Sequence, residues 1–318
     1  MTVVIPAATP MPDTRAPSPA PDMSAWVARR LDQMEHFLRA HLPAHAPAGL
    51  GEAMRYAVLD GGKRLRPLLV LATWEAVAAA AEAAPEAPVW WAAGAVELIH
   101  AYSLVHDDLP CMDDDVLRRG KPTAHVRFGE AQALLAGDAL QALAFEWLSA
   151  PDWARRTPAL AVALVRELAT ASGADGMAGG QAIDLAGVGQ RLDQAALEDM
   201  HRRKTGALLL ASVRMGAMAA GADDATLAVL DRYGRALGLA FQVIDDVLDA
   251  TADTATLGKT AGKDAAADKP TFVSLLGVEP ARAYADALLT QALHALGELP
   301  TPTARLAALA RWVVQRRA

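Results

Sequence analysis

An all-α fold is what this sequence predicts, and three observations predict it. Hydrophobic residues fill 53% of the 318 positions while Phe, Trp and Tyr together fill only 5%, so Ala, Leu and Val carry the apolar content. Ala and Leu are the best helix formers, and β-branched and aromatic strand signals are sparse. Helical periodicity recurs along the chain with short breaks, and no strand pair is evident. The expectation is one α-helical domain over residues 23–318, preceded by a tail.

The elements follow in order. Residues 1–22 carry six of the 19 prolines and no aromatic side chain, which predicts a disordered tail rather than a signal peptide. Leu65, Leu68, Leu69 and Ala72 repeat at helical spacing, with Pro67 tolerable in a first turn. Val89 to His106 lacks proline and turn clusters, predicting a long buried helix. Gly173 to Gly180 punctuates the chain, and helical patterns resume over Leu197–Met218 and Ala225–Leu248. Asp253 to Pro270 is polar and glycine-containing, as expected of a loop covering something. Apolar helices with Leu288, Leu289, Leu293 and Leu306 close the chain.

Composition narrows the function. A net charge of −7 and a pI near 5.6 argue against nucleic-acid binding. No run of 18 uninterrupted apolar residues predicts a membrane span. A single cysteine, Cys111, excludes an internal disulfide, reads as a small apolar filler and fits a reducing compartment, the cytoplasm.

The sharpest feature is Asp107-Asp108-Leu109-Pro110-Cys111-Met112-Asp113-Asp114-Asp115. Five carboxylates so close repel one another unless a cation sits among them. Pro110 should end the helix just after Asp108, letting the chain curl until Asp113 approaches the first pair. A second cluster, Asp245-Asp246-Val247-Leu248-Asp249, puts three carboxylates on one helix face, behind the apolar stripe Leu237, Ala240, Phe241 and Ile244. Such carboxylates are costly to bury without a cation. One acidic cluster would be a solvated helix end; two, each closing an apolar helix, point to a shared site. All-oxygen ligands suit Mg²⁺ shared with substrate phosphates. No cysteine pair or Glu-x-x-His spacing supports zinc or di-iron.

A diphosphate also needs cations. Gly61-Gly62-Lys63-Arg64-Leu65-Arg66-Pro67 offers three at a helix start. Arg118 and Arg119 follow the first acidic cluster, and His100 lies two turns before Asp107 on about the same helix face. Lys204-Thr205 interrupt a helical run before Gly206, while Lys259, Lys263 and Lys269 lie in the late loop. Arg64 and Lys263 read as surface charges.

These motifs resemble the trans-isoprenyl diphosphate synthases, most closely the bacterial farnesyl diphosphate synthases. The markers are GGKRLRP at 61–67, IHAYSLVHDDLPCMDDD at 99–115, RRGKPT at 118–123, GDAL at 137–140, GGQAIDL at 179–185, HRRKTGAL at 201–208, FQVIDDVLD at 241–249 and LGKTAGKD at 257–264. The resemblance implies a helical bundle around a central cavity, two or three Mg²⁺ per site, diphosphate substrates and a homodimer. It implies that Lys63, Arg66, His100 and Arg119 hold isopentenyl diphosphate. Asp107 and Asp113, with Asp108, would ligate magnesium on one side, and Asp245, with Asp246 and Asp249, on the other. Arg118, Lys204, Thr205, Gln242 and Lys259 would contact the allylic substrate, with Lys269 a further contact. Gln181 and Asp184 match the family motif and read as structural hydrogen bonders. The implied reaction ionises the allylic diphosphate and lets the double bond of isopentenyl diphosphate attack.

Product length should depend on what floors the pocket below Asp107. The resemblance ties an aromatic residue at Tyr102, with the inserted Pro110-Cys111, to a fifteen-carbon product. Helix geometry places Ser103 more directly beneath Asp107, with Tyr102 roughly 140° around. A geranylgeranyl synthase, a class I terpene cyclase and a non-catalytic synthase subunit are the alternatives. Lys63, Arg66 and Arg119 and the low aromatic content oppose a cyclase; the intact aspartate clusters oppose a regulatory subunit.

Overall fold

The computed structural model describes residues 23–59, 61–78, 80, 83–84, 87–149, 151–251 and 269–316. The expected tail at 1–22 lies outside these residues, as do Lys259, Lys263 and the late loop up to residue 268. The described chain is helical, as expected, with one exception taken up below. In order, its helices are α1 (Met23–His41), a 3₁₀ turn (Pro47–Gly49), α2 (Leu50–Val58), α3 (Leu65–Ala78), α4 (Pro88–Asp107), α5 (Ala124–Phe128), α6 (Glu130–Ser149), α7 (Asp152–Arg156), α8 (Pro158–Ser172), α9 (Met177–Ala186), α10 (Gln194–His201), a π segment (Arg202–Gly206), α11 (Ala207–Ala219), α12 (Asp224–Thr251), α13 (Phe272–Leu276), α14 (Val278–Gly297) and α15 (Ala304–Gln315).

Helix α4 is the centre of the molecule. Its apolar residues point in every direction, and most of them, from Val89 to Val105, are buried; a helix that is hydrophobic all round needs neighbours on all sides. It packs against α3, α6 and α11, with Pro88 starting it, where no amide hydrogen is required. One core cluster joins α4 to α1, α2, α6 and α8; a second joins α3 and α11 to α12, α14 and α15.

Two expectations need correction. A minimal antiparallel pair does exist: β1 (Leu117–Arg118) against β2 (Lys121–Pro122). Its two-residue turn, Arg119-Gly120, holds φ of 53° and 76°, the left-handed pair that a tight hairpin requires. Two residues a side are too few to leave a periodicity signal. The glycine punctuation is also shorter than expected, since α9 already begins at Met177. Gly180 lies within it because a Cβ there would meet the Lys204 backbone nitrogen at 2.1 Å. The helix therefore lies directly on the π segment.

Candidate active site

Helices α4, α9 and α12, the coil after α4 and the π segment enclose a cavity of about 720 Å³. Its first wall comes from the acidic coil. Helix α4 stops at Asp107 as Pro110 requires, and the chain folds back: the Asp113 N–H donates to the Asp107 carbonyl at 2.8 Å and the Asp115 N–H to that of Asp108 at 3.2 Å. Asp107 and Asp113 both line the cavity. Burial pushes the Asp107 carboxyl up to about 6, helped by the charge of Asp113 and opposed by Lys204. Asp108 turns away and receives Arg118, whose Nε lies 2.9 Å from both carboxylate oxygens. That pair holds the Arg118 guanidinium at the cavity wall. Cys111 sits exposed on the outside of the coil, so it is not a core filler.

The cations enter from three elements. Arg119 lies across Gly62, where a Cβ would come within 2.7 Å of its guanidinium carbon, and it donates to the Gly61 carbonyl. The glycine pair, with φ of 83° and 117°, thus leaves room for an arginine from a motif 58 residues away. Arg66 and His100 stand beside it in the cavity. Burial lowers the Arg66 guanidinium to about 10, and its Nε is buried without a partner among the described residues. Burial and then the charges of Arg66, Arg119, Arg118 and Arg64 hold the His100 imidazole well below its usual range. A cationic pocket that keeps its histidine neutral is arranged for an anion.

Arg64 is not the surface charge its composition suggested. It is buried, with φ of 46°, and binds Glu97 at 2.6 Å, Glu35 at 2.6 Å and the Val58 carbonyl at 2.6 Å. This arginine fastens the start of α3 to α4 and so sets Arg66 against His100. Sequence proximity to Lys63 and Arg66 concealed the difference.

The second wall is α12 with the π segment. Lys204 donates to Asp184 of α9 at 2.6 Å, and Lys269 bridges Asp113 at 3.1 Å and Asp184 at 3.5 Å. Asp184 therefore hydrogen-bonds as expected, while the Gln181 amide nitrogen is buried without an acceptor among the described residues and lines the cavity. Thr205 donates to Gln242 at 3.0 Å, and both line the cavity beside Asp245. The extra backbone residue of the π segment displaces Lys204 and Thr205 from regular helical register, a device frequent at functional sites.

The sequence placed Asp245, Asp246 and Asp249 on one face; the structure separates them. Asp245 reaches the cavity, whereas Asp246 and Asp249 are buried and do not line it. Asp245 carries a partner that sequence reasoning missed. Arg316 approaches it at 3.1 Å, donates to the Phe241 carbonyl at 3.2 Å and lies 4.0 Å over the Phe241 ring. Only the basic pair Arg316-Arg317 after an apolar helix hinted at this. Lys63, expected with Arg66, does not line this cavity: it lies in a separate hollow between α1 and α15, 5.7 Å from the Trp312 ring, where burial and Arg316 lower its pKa while Asp245 raises it. Tyr102 and Ser103 both line the cavity. The Tyr102 ring meets His106 edge-on at 5.6 Å, while the Ser103 hydroxyl is turned back to the His100 carbonyl at 2.9 Å.

The donor set fits a hard divalent cation: Asp107 and Asp113 offer only oxygen from one wall and Asp245 from the other. Among the described residues no three acidic, His or Cys side chains form a ready-made cage. Oxygen-only donors of this kind suit a hard cation that completes its shell with water and phosphate oxygens.

Known proteins resemble the chain over most of its length. The polyprenyl synthetase family profile matches residues 47–300. A farnesyl diphosphate synthase from Escherichia coli K12 is 52% identical over 269 residues, 83% of this chain and 88% of that protein. Geranylgeranyl pyrophosphate synthase 11 from Arabidopsis thaliana is 44% identical over 93% of this chain and 82% of that protein. Among solved structures, an FPP/GFPP synthase from Zymomonas mobilis superposes with a TM-score of 0.80 at 40% identity, covering 93% of this chain and 99% of that one. A geranyltransferase from Helicobacter pylori, solved with magnesium and isoprenyl diphosphate, superposes with a TM-score of 0.78 at 35% identity, covering 94% and 98%.

Proposed function

Since the chain belongs to the polyprenyl synthetase family, we propose that it is a magnesium-dependent farnesyl diphosphate synthase, joining isopentenyl diphosphate to an allylic diphosphate. The observation that carries this is the cavity itself, lined by carboxylates from the end of α4, the coil after it and α12, and by Arg66, Arg118, Arg119, Lys204 and Lys269. A cyclase needs one diphosphate site; this cavity has the groups for two.

Arg66, His100 and Arg119 hold the diphosphate of isopentenyl diphosphate, and Lys63, outside the cavity lining, reaches it only by turning from Trp312. Arg118, Lys204 and Lys269 face the allylic diphosphate, and Lys259, outside the described residues, joins them. Asp107, Asp113 and Asp245 would hold two or three magnesium ions, with Asp108 and Asp249 behind them. When bound, these ions neutralise the charge that builds on the departing pyrophosphate. Lys204 and Lys269, pre-set on Asp184, meet the same charge. Thr205 and Gln242 turn oxygen dipoles toward the allylic carbon as it becomes cationic, and the apolar side chains of Met177, Leu185 and Phe241 keep water out. The double bond of isopentenyl diphosphate attacks, and the proton lost from it leaves with pyrophosphate.

Tyr102, buried and wedged against His106, closes the apolar end at fifteen carbons, with Ser103 beside it; the identity to farnesyl synthases exceeds that to geranylgeranyl synthases among the relatives compared. Residues 23–318 act as one catalytic unit. Val126 of α5 and Leu134 and Leu135 of α6 stay exposed on two helices that pack together, apolar surface suited to a homodimer. The lone cysteine fits a cytoplasmic enzyme.

The test is a pyrophosphate-release assay with isopentenyl and geranyl diphosphates, followed by chromatography of the product. Release only when both are present, with a fifteen-carbon product, is expected. Release from geranyl diphosphate alone would mean a cyclase, and a twenty-carbon product would move the length boundary.

A further inference from the structure

We propose that Asp246 is a positioning residue: its hydrogen bond turns the Gln242 amide so that the carbonyl oxygen, with the Thr205 hydroxyl oxygen, faces the cavity. This rests on the reading of function given above and deepens it.

The argument is one of donors and acceptors. Asp246 is 3% exposed and does not line the cavity. Its Oδ2 accepts from the Phe272 N–H at 2.8 Å, and its Oδ1 accepts from Gln242 Nε2 at 2.9 Å. The His201 ring, stacked on Phe272 with centroids 5.4 Å apart, brings Nε2 to 3.8 Å from Oδ2. A carboxylate accepts only, so the nitrogen of the Gln242 amide must face Asp246 and its oxygen must face the other way. That oxygen receives the Thr205 hydroxyl proton at 3.0 Å. Having donated, Thr205 keeps only lone pairs for the cavity, and Gln242 keeps its second one.

Reversing the amide would set its oxygen against the Asp246 carboxylate and turn an N–H₂ group toward the site. The positive end of the dipole would then point where an allylic cation forms. Asp246 thus decides the sign of the field that two neutral side chains present, without touching substrate. Preorganised dipoles of this kind act because they need no reorientation as charge develops. The same geometry leaves Asp245 as the member of the pair that reaches the metal-binding wall.

The experiment compares Asp246→Asn, Asp245→Asn, Gln242→Leu and the Asp246→Asn/Gln242→Leu double variant. Steady-state kinetics with isopentenyl and geranyl diphosphates are read beside calorimetric titration of Mg²⁺ with inorganic pyrophosphate. Asparagine offers both a donor and an acceptor, so the Gln242 amide is free to reverse. Asp246→Asn should lower kcat roughly 10- to 100-fold, leave KM for both substrates near parental values and keep Mg²⁺–pyrophosphate binding intact; Asp245→Asn should weaken that binding. In the Gln242→Leu background, Asp246→Asn should cost nothing further, since it acts through the missing amide.

The proposal is overturned if Asp246→Asn weakens Mg²⁺–pyrophosphate binding as Asp245→Asn does, if it keeps the parental kcat, or if its loss multiplies with that of Gln242→Leu. Should Asp246→Asn fail to fold, Gln242→Leu decides alone: a kcat loss of roughly 10- to 100-fold with metal binding preserved supports the proposal, and a parental kcat refutes it. A parental chain that releases no pyrophosphate refutes the assigned function and this inference together. An active parental chain beside an unimpaired Asp246→Asn refutes this inference only.

Discussion

At Asp107, stability and function pull in opposite directions. Its carboxyl lies near 6 because burial outweighs the help from Lys204, so carrying the charge at pH 7 costs the free protein on the order of 3 kcal/mol. A raised carboxyl stabilises the fold fully below its unfolded value of 3.8, and that contribution is lost as pH rises through about 6. Asp107→Asn should therefore raise Tm at pH 8 by roughly 3–5 °C, abolish product formation, and lose its Tm advantage by pH 4; unchanged or lower Tm at pH 8 would contradict this account. Tyr102 argues at the same scale. Its ring is buried between the cavity and His106, so Tyr102→Ala should open the pocket floor and shift the product toward twenty carbons, read by chromatography. An unchanged product distribution would remove Tyr102 from the length determinants.

At the scale of elements, the site depends on helices that approach closely at glycine and are pinned by buried charge. A Cβ at Gly238 of α12 would meet the Gly206 Cα at 2.9 Å, so α12 and the π segment touch backbone to backbone, and Thr205 can reach Gln242. Gly238→Ala should force them apart, costing about 1–3 kcal/mol and lowering kcat, with urea melts and kinetics as the readouts. Arg64 does the equivalent work between α3 and α4. Removing it in Arg64→Ala leaves Glu97 buried without its guanidinium, a loss of about 3–5 kcal/mol in chemical denaturation. Wild-type stability would show Arg64 to be dispensable.

For the molecule as a whole, pH acts through buried groups in and behind the cavity wall. His100 and His201 both sit below the usual imidazole range, His201 at about 4, each chiefly through burial. Groups lowered in this way stabilise the fold above 6.5 and lose that contribution as pH falls toward their folded values. Asp107 runs the other way and partly offsets them. The parental Tm should fall between pH 6.5 and 4, and fall more steeply in Asp107→Asn, as circular dichroism melts across that range would show. A flat profile in both proteins would contradict the assignment of neutral histidines.

The sequence alone determined the helical class, because Ala and Leu at helical spacing bury a face wherever the helices meet. It also determined where α4 ends, because Pro110 removes an amide hydrogen, and it determined the two carboxylate clusters and the cation-rich motifs, because their chemistry is local. Tertiary structure decided which of those groups face one another. Asp245 and Asp246 are neighbours in sequence and on one helix, yet one meets the cavity and the other meets Phe272, because α13 packs against α12 there. Arg64, Arg66 and Arg119 look alike as letters; the fold buries the first in carboxylates and turns the other two to the cavity. Arg316 reaches Asp245 across 71 positions. No local pattern encodes such a pairing, since it exists only once the last helix has docked.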